Sequence, residues 1–229
     1  LCALDEVSVS VKPNTFHGLI GPNGSGKSTL LSVIAGAHFP DTGKVIFDEN
    51  DITKMLPEMR ALKGLSLKFQ ITAILPELST YDNLLLSIQS NQSIWRLISS
   101  KSKRVLHNKI MDVLERFKLA SRADTLAGEL SHGLQQWLEI AMAVIREPKL
   151  LLLDEPTGGM SPEERKATGE LLLPIKKKCT LIIVEHDLDF IKDICDNLTV
   201  LDQGKIVDTG TVEEIKLSKK VQEVYTTRV

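Results

Sequence analysis

Gly21-Pro22-Asn23-Gly24-Ser25-Gly26-Lys27-Ser28 has the spacing G-x-x-x-x-G-K-[ST]. Three glycines let a backbone curl round an anion with its N–H groups turned inward, in conformations that a Cβ would hinder. A helix predicted to start near Lys27 adds the positive end of its dipole. Lys27 supplies a point charge for the β- and γ-phosphates of a nucleotide, and Ser28 supplies a hydroxyl oxygen for Mg²⁺. Thr29 joins the segment 21–28 as a candidate binding residue. The flanks suit this reading better than an ordinary glycine turn. Phe16 to Ile20 is a short apolar strand that runs into the loop. Lys27 to Gly36 puts Leu30, Leu31, Val33 and Ile34 on one side of a helix.

Outward from the loop, strands and helices alternate. Val7, Val9 and Val11 predict a strand over Cys2 to Lys12 with one face exposed. Gly43 to Asp48 and Leu65 to Phe69 predict two more strands, with a short helix led by Pro57 between them. From Thr80 to about Arg146 helical patterns dominate: Tyr81 to Ile88, Val105 to Phe117 and Leu134 to Ile145. The polar stretch Ser87 to Lys103 reads as a connector inside that helical part. Leu150 to Leu153 and Thr180 to Val184 are unbroken apolar runs, as expected of strands buried on both faces of a mainly parallel sheet. A helix over Pro162 to Lys178 lies between them, and Asp202-Gln203-Gly204 predicts a hairpin turn. The expected fold is α/β: a mainly parallel core sheet, an N-terminal antiparallel β part and a helical insertion.

Composition excludes several classes. The chain has 229 residues, 42% hydrophobic and 25% charged, unlike a disordered chain, a collagen or a coiled-coil rod. Lys plus Arg is 28 against 30 Asp plus Glu, which lacks the basic excess of a nucleic-acid wrapper. Aromatics are 4%, too few for a base-stacking platform. Cys2, Cys179 and Cys195 have neither the number nor the spacing of a disulfide framework or a zinc knuckle. They read as buried or half-buried thiols in a reducing cytosol. No apolar run approaches the roughly 20 residues of a membrane span, and no secretory leader opens the chain at Leu1.

The second chemical site is Leu150-Leu151-Leu152-Leu153-Asp154-Glu155-Pro156. It sets two carboxylates at the C-terminal end of a buried strand, the edge where open α/β sheets bind ligands. Asp154 is positioned to hold Mg²⁺ through its water shell, and Glu155 to polarise an attacking water as general base. Gln70 follows the strand at 65–69, and its amide can bind a metal or water and release it. His186 follows the strand at 180–184, where an imidazole reaches a γ-phosphate or serves as a structural histidine.

Leu130-Ser131-His132-Gly133-Leu134-Gln135-Gln136 resembles the signature sequence of the ATP-binding cassette (ABC) ATPases, commonly Leu-Ser-Gly-Gly-Gln. The order of motifs is also similar to that family: phosphate loop, Gln70, signature, Asp154-Glu155, His186. The resemblance implies a P-loop NTPase fold. Residues 1–79 and 147–229 would form an ATP-binding lobe, and about 80–146 a helical subdomain. It implies ATP and Mg²⁺ as cofactors. Catalytic roles fall to Glu155, His186 and Gln70, and metal contacts to Ser28, Gln70 and Asp154. Ser131 and Gly133 would act in trans, on nucleotide held by a second ATPase subunit. Integral membrane permease subunits are the implied partners, on the inner face of the cell membrane, with no nucleic acid and no direct contact with solute. Gln136-Trp137-Leu138-Glu139-Ile140-Ala141-Met142, the run Asp154 to Pro162 and Val184 to Asp187 resemble importers of urea and branched-chain amino acids. Ala123 to Gly128 and Glu223-Val224-Tyr225 lean toward the urea type.

Three departures follow from the same comparison. Leu134 stands where the family usually has Gln or Glu, and Gly158-Gly159-Met160-Ser161 replaces Ser-Ala-Leu-Asp. The adenine-stacking aromatic is expected upstream of Leu1. The segment Ile71, Ile74, Leu75, Leu78 and Tyr81 has two readings, a groove for a permease helix or ordinary packing of the helical lobe. Rival classes fit less well. DNA-repair members carry long coiled coils, translation-associated members join two cassettes, and P-loop kinases or GTPases leave Leu130 to Gln136 unexplained. An exporter ATPase differs mainly in its partner.

Overall fold

The apolar runs form strands with both faces buried. In the computed structural model, which describes residues 2–68, 74–89 and 100–226, every residue of Leu150–Asp154 and Thr180–Val184 is buried. The strands are β1 (Phe16–Ile20), β2 (Ile46–Phe47), β3 (Asn50–Asp51), β4 (Leu65–Lys68), β5 (Leu150–Asp154), β6 (Thr180–Val184), β7 (Asn197–Asp202) and β8 (Lys205–Thr211). The helices are α1 (Lys27–Ala35), α2 (Pro57–Leu62), α3 (Thr80–Gln89), α4 (Ser100–Arg116), α5 (His132–Val144), α6 (Pro162–Leu172), α7 (Leu188–Ile194), α8 (Val212–Leu217) and α9 (Lys219–Thr226). Six strands make one sheet in the order β4-β5-β6-β1-β7-β8, parallel except for the β7–β8 pair. The C-terminal ends of β4, β5, β6 and β1 therefore open on one edge.

Alternate side chains feed two cores. Leu151 and Leu153 of β5 and Leu181 and Ile183 of β6 join a cluster with α5, α6 and α7. Leu150, Leu152, Ile182 and Val184 point to the other face, with Leu30, Leu31 and Ala35 of α1. The far end of α1 is fastened by Arg60, which has 0% exposure. Its guanidinium donates to the carbonyls of Val33 and Ile34, both at 2.7 Å, and to those of Met55 at 2.8 Å and Thr53 at 2.9 Å. A buried cation there is satisfied by carbonyl dipoles, two of them from the C-terminal turn of α1.

Several expectations change. The predicted strand over Cys2 to Lys12 forms no ladder. Its alternation survives in burial, since Val7, Val9 and Val11 pack on the α1 core while Ser8 and Ser10 are exposed. Burial needs only the two-residue period; a ladder also needs a free strand edge. The N-terminal antiparallel part thus reduces to the short β2–β3 hairpin. The strand predicted over 43–48 is cut to Ile46–Phe47 because Asp48 and Glu49 turn with positive φ, 50° and 63°. The helix predicted to Lys178 stops at Leu172 and continues as a 3-10 turn, Leu173–Lys177, containing Pro174. Ser87 belongs to α3 rather than to a connector, and its hydroxyl donates to the Met142 carbonyl at 2.6 Å. Cys179 and Cys195 are buried, whereas Cys2 is exposed.

His17 sits inside β1 at 2% exposure, 2.8 Å from the Thr199 hydroxyl. Burial pushes its pKa from 6.5 down to about 4. The unfolded chain binds this proton between those values and the folded chain does not. Stability therefore falls as pH drops through 6.5, by about 3 kcal/mol at pH 4. Urea unfolding of His17→Asn is expected to lack that part of the pH slope. Parallel slopes in the two proteins would contradict it.

Candidate active site

The loop between β1 and α1 is shaped by backbone that only glycine tolerates. Gly21 has φ +146°, and a Cβ there would lie 2.0 Å from the Leu201 carbonyl oxygen. Gly26 has φ +106° and is the N-cap of α1, offering no side chain to the first-turn amides, and that turn carries no acidic residue. Those amides and the dipole end are thus left to an anion without competition from a capping side chain or a first-turn carboxylate. The loop is braced from outside: the Gly204 N–H donates to the Ser25 carbonyl at 3.0 Å. Asn23 and Gly24 at its tip are exposed, Gly21, Ser25 and Lys27 are buried, and Pro22 and Thr29 lie between.

Lys27 is 5% exposed. Its ammonium donates to the carbonyls of Gly21 at 2.8 Å and Pro22 at 2.9 Å and lies 3.5 Å from the Ser25 hydroxyl. Burial holds its pKa below the usual lysine value, and the charges of Glu155 and Asp154 oppose that shift. The two carboxylates at the end of β5 thus act on the lysine that opens α1, after the loop that leaves β1 two strands away.

Asp154 is buried and Glu155 half-buried. Glu155 has φ +47°, a left-handed conformation unusual for a residue with a Cβ. Its carboxylate Oε1 lies 2.6 Å from His186 Nε2, so a ionised Glu155 accepts a proton-bearing nitrogen. The structure brings these two sequence-predicted site residues, thirty-one residues apart, into one pair, a contact the sequence reading did not include. Gln70 lies outside the described residues.

Two supports went unread in the sequence. Glu185 Oε1 accepts from the Thr157 N–H at 2.8 Å and its hydroxyl at 2.6 Å, tying the turn after Glu155 to the strand end before His186. Burial raises the Glu185 pKa, against the Thr157 bonds. Arg165 of α6 pairs with Asp187, whose carboxylate caps α7. The only sequence signal was position: Glu185 and Asp187 flank His186 at a buried strand end.

Ser131 is the N-cap of α5, but its hydroxyl makes no capping bond and the residue is exposed. The contacts of its turn run to Gly158, through His132, and to Glu164, beside Gly133. Leu134 is half-buried and packs on the core, so it offers no polar group. Ser161 caps α6 in a capping box with Glu164. Of the proposed docking segment, Ile74 and Tyr81 pack on the core, Leu78 is half-buried and Leu75 is exposed, while Ile71 lies outside the described residues.

A glycine nest closed by a buried lysine, facing an Asp-Glu strand end on a parallel sheet, defines a P-loop nucleotide hydrolase. Residues 4–158 match the family described as ABC transporter. The probable branched-chain amino acid transport ATP-binding proteins LivG are similar along most of their length. That of Archaeoglobus fulgidus is 34% identical over 98% of this chain and 90% of its own, and that of Methanocaldococcus jannaschii is 36% identical over 97% and 91%. The methionine import ATP-binding protein MetN of Haemophilus ducreyi is 32% identical over 94% of this chain and 61% of its own. The crystal structure of the ADP conformation of MJ1267, an ATP-binding cassette of an ABC transporter, superposes with a TM-score of 0.85 at 33% identity, covering 97% of this chain and 92% of that one. The chain belongs to the ABC transporter ATPase family, and ATP hydrolysis is its reaction. Among the described residues no helix is long and apolar enough to cross a membrane.

Proposed function

We propose that this chain is the ATP-hydrolysing subunit of an importer of branched-chain amino acids, working as a two-fold dimer on the inner face of the membrane beneath separate permease subunits. The observation that carries the reading is the Glu155–His186 pair at 2.6 Å on the sheet edge that also bears the buried Lys27 loop. The solute follows the LivG similarity. A methionine importer is another candidate, by the similarity to MetN, and urea rests on the likeness of Ala123 to Gly128 and of Glu223 to Tyr225.

In this reading the loop amides of residues 21–28 and Lys27 bind the triphosphate, with Lys27 exchanging its carbonyl partners for phosphate oxygens. The donor set suits Mg²⁺, which takes few protein ligands and prefers hard oxygens: the Ser28 hydroxyl and the Asp154 carboxylate would hold it. Gln70 completes that set. When bound, Mg²⁺ neutralises charge on the β- and γ-phosphates. Glu155 orients and deprotonates water for in-line attack. His186, whose Nε2–H holds Glu155 in place, turns that donor to the γ-phosphate when ATP is bound. The helices within residues 80–89 and 100–146 belong to the helical lobe that presents Ser131 and Gly133 to the nucleotide of a second copy, and exposed Leu75 faces the permease.

The test is ATPase activity in proteoliposomes with the permease and solute-binding protein of the same transport system. Leucine-loaded binding protein is expected to stimulate hydrolysis. Stimulation by methionine or urea alone would reassign the solute, and indifference to every solute would remove the import reading.

A further inference from the structure

The third signature position carries an imidazole that reaches out of its own turn. His132 Nε2 lies 3.0 Å from the Gly158 carbonyl oxygen, and a carbonyl only accepts, so Nε2 bears the proton. The Gly158 N–H in turn donates to the Glu155 carbonyl at 3.2 Å. Two hydrogen bonds therefore join the signature turn to the backbone of Glu155, the residue held at φ +47°. Gly159 makes room for the ring: it has φ +75°, and a Cβ there would lie 3.1 Å from His132 Nε2. The other side of the turn is equally close, since a Cβ on Gly133 would sit 2.4 Å from Glu164 Oε1. Glu164 is itself fixed by its bond from the Ser161 N–H at 2.9 Å. The Ser131 turn thus rests on 158–164 and has little freedom to shift alone.

We propose that His132 is a positioning residue, whose bond to Gly158 makes engagement of an anion at Ser131 and placement of the Glu155 carboxylate one linked event within a chain. The inference rests on the dimer reading above, in which Ser131 serves the partner's nucleotide and Glu155 its own. Filling one site then sets the base of the other.

His132→Ala removes the link and leaves the Lys27 loop intact. The expected result is a kcat for ATP hydrolysis lowered about 5-fold, the rate equivalent of one lost hydrogen bond, with KM little changed. His132→Gln, whose amide nitrogen reaches about as far as Nε2, is expected to restore kcat. Gly159→Ala, which crowds the same bond from its other end, should reproduce the loss and stands in should His132→Ala not fold. Wild-type kcat in either folded variant, or failure of His132→Gln to rescue, overturns the proposal. ATP-driven dimerisation of Glu155→Gln, measured by light scattering, is the separate control. Its absence defeats the dimer reading, whereas its presence beside an unchanged His132→Ala kcat defeats only the link.

Discussion

Glu155→Gln is expected to cut steady-state ATP turnover by about 10²–10⁴-fold, the usual contribution of a positioned general base. The substitution is nearly isosteric. Its amide oxygen still accepts from His186 Nε2, which lies 2.6 Å from Oε1 in the native pair. It changes no atom of the Gly158 N–H to Glu155 carbonyl bond, and the turn stays fastened through Thr157 and Glu185. Only the proton acceptor is lost. ATP affinity should therefore persist, because the phosphate contacts come from the 21–28 loop. ATP-loaded dimer should accumulate, because the bridging γ-phosphate is no longer removed. Quenched-flow turnover together with light scattering in ATP reads both quantities. Turnover at the native rate would take the base role from Glu155.

What the chain revealed in advance was whatever lies within one short window. The 21–28 loop needs glycines at fixed offsets, and the structure explains each offset at Gly21 and Gly26 by a positive φ or a close carbonyl. Leu150 to Leu153 announced a strand buried on both faces because no polar residue interrupts it. Contacts across the chain were not visible. Nothing in the sequence singles out Arg60, on the short helix led by Pro57, yet it is fully buried and bonded to carbonyls of α1 some 26 residues away. Backbone acceptors have no sequence signature, so no pattern of residue types could reveal them. His132 stands in the sequence only as the third residue of the signature; its partner is again a carbonyl, that of Gly158. The Val7, Val9, Val11 alternation misled for the converse reason. It reports which side chains are buried, and says nothing about whether a strand edge is free to pair.

Lys27→Ala is expected to weaken ATP binding about 10- to 100-fold, since a charge-assisted hydrogen bond contributes roughly 1.5–3 kcal/mol and each 1.4 kcal/mol is tenfold. The environment argues for the upper end. The side chain is 5% exposed, so solvent screens the contact little. Asp154 and Glu155 lie close enough to act on its charge, and without the ammonium their charges repel an incoming triphosphate with less to offset them. Folding should survive. The ammonium's partners are the carbonyls of Gly21 and Pro22, and removing a buried charge relieves a desolvation cost that offsets the lost bonds. The loop keeps its outer brace from the Gly204 N–H to the Ser25 carbonyl at 3.0 Å. Calorimetric titration with ATP, alongside an unchanged melting temperature, separates lost binding from lost fold. Lys27→Arg should not rescue, because a rigid planar fork cannot take the place of a compact ammonium bonded at 2.8 and 2.9 Å inside the loop. Native affinity in Lys27→Ala would mean that the amides of the loop hold the phosphates unaided, and the lysine would then have no part in ground-state binding.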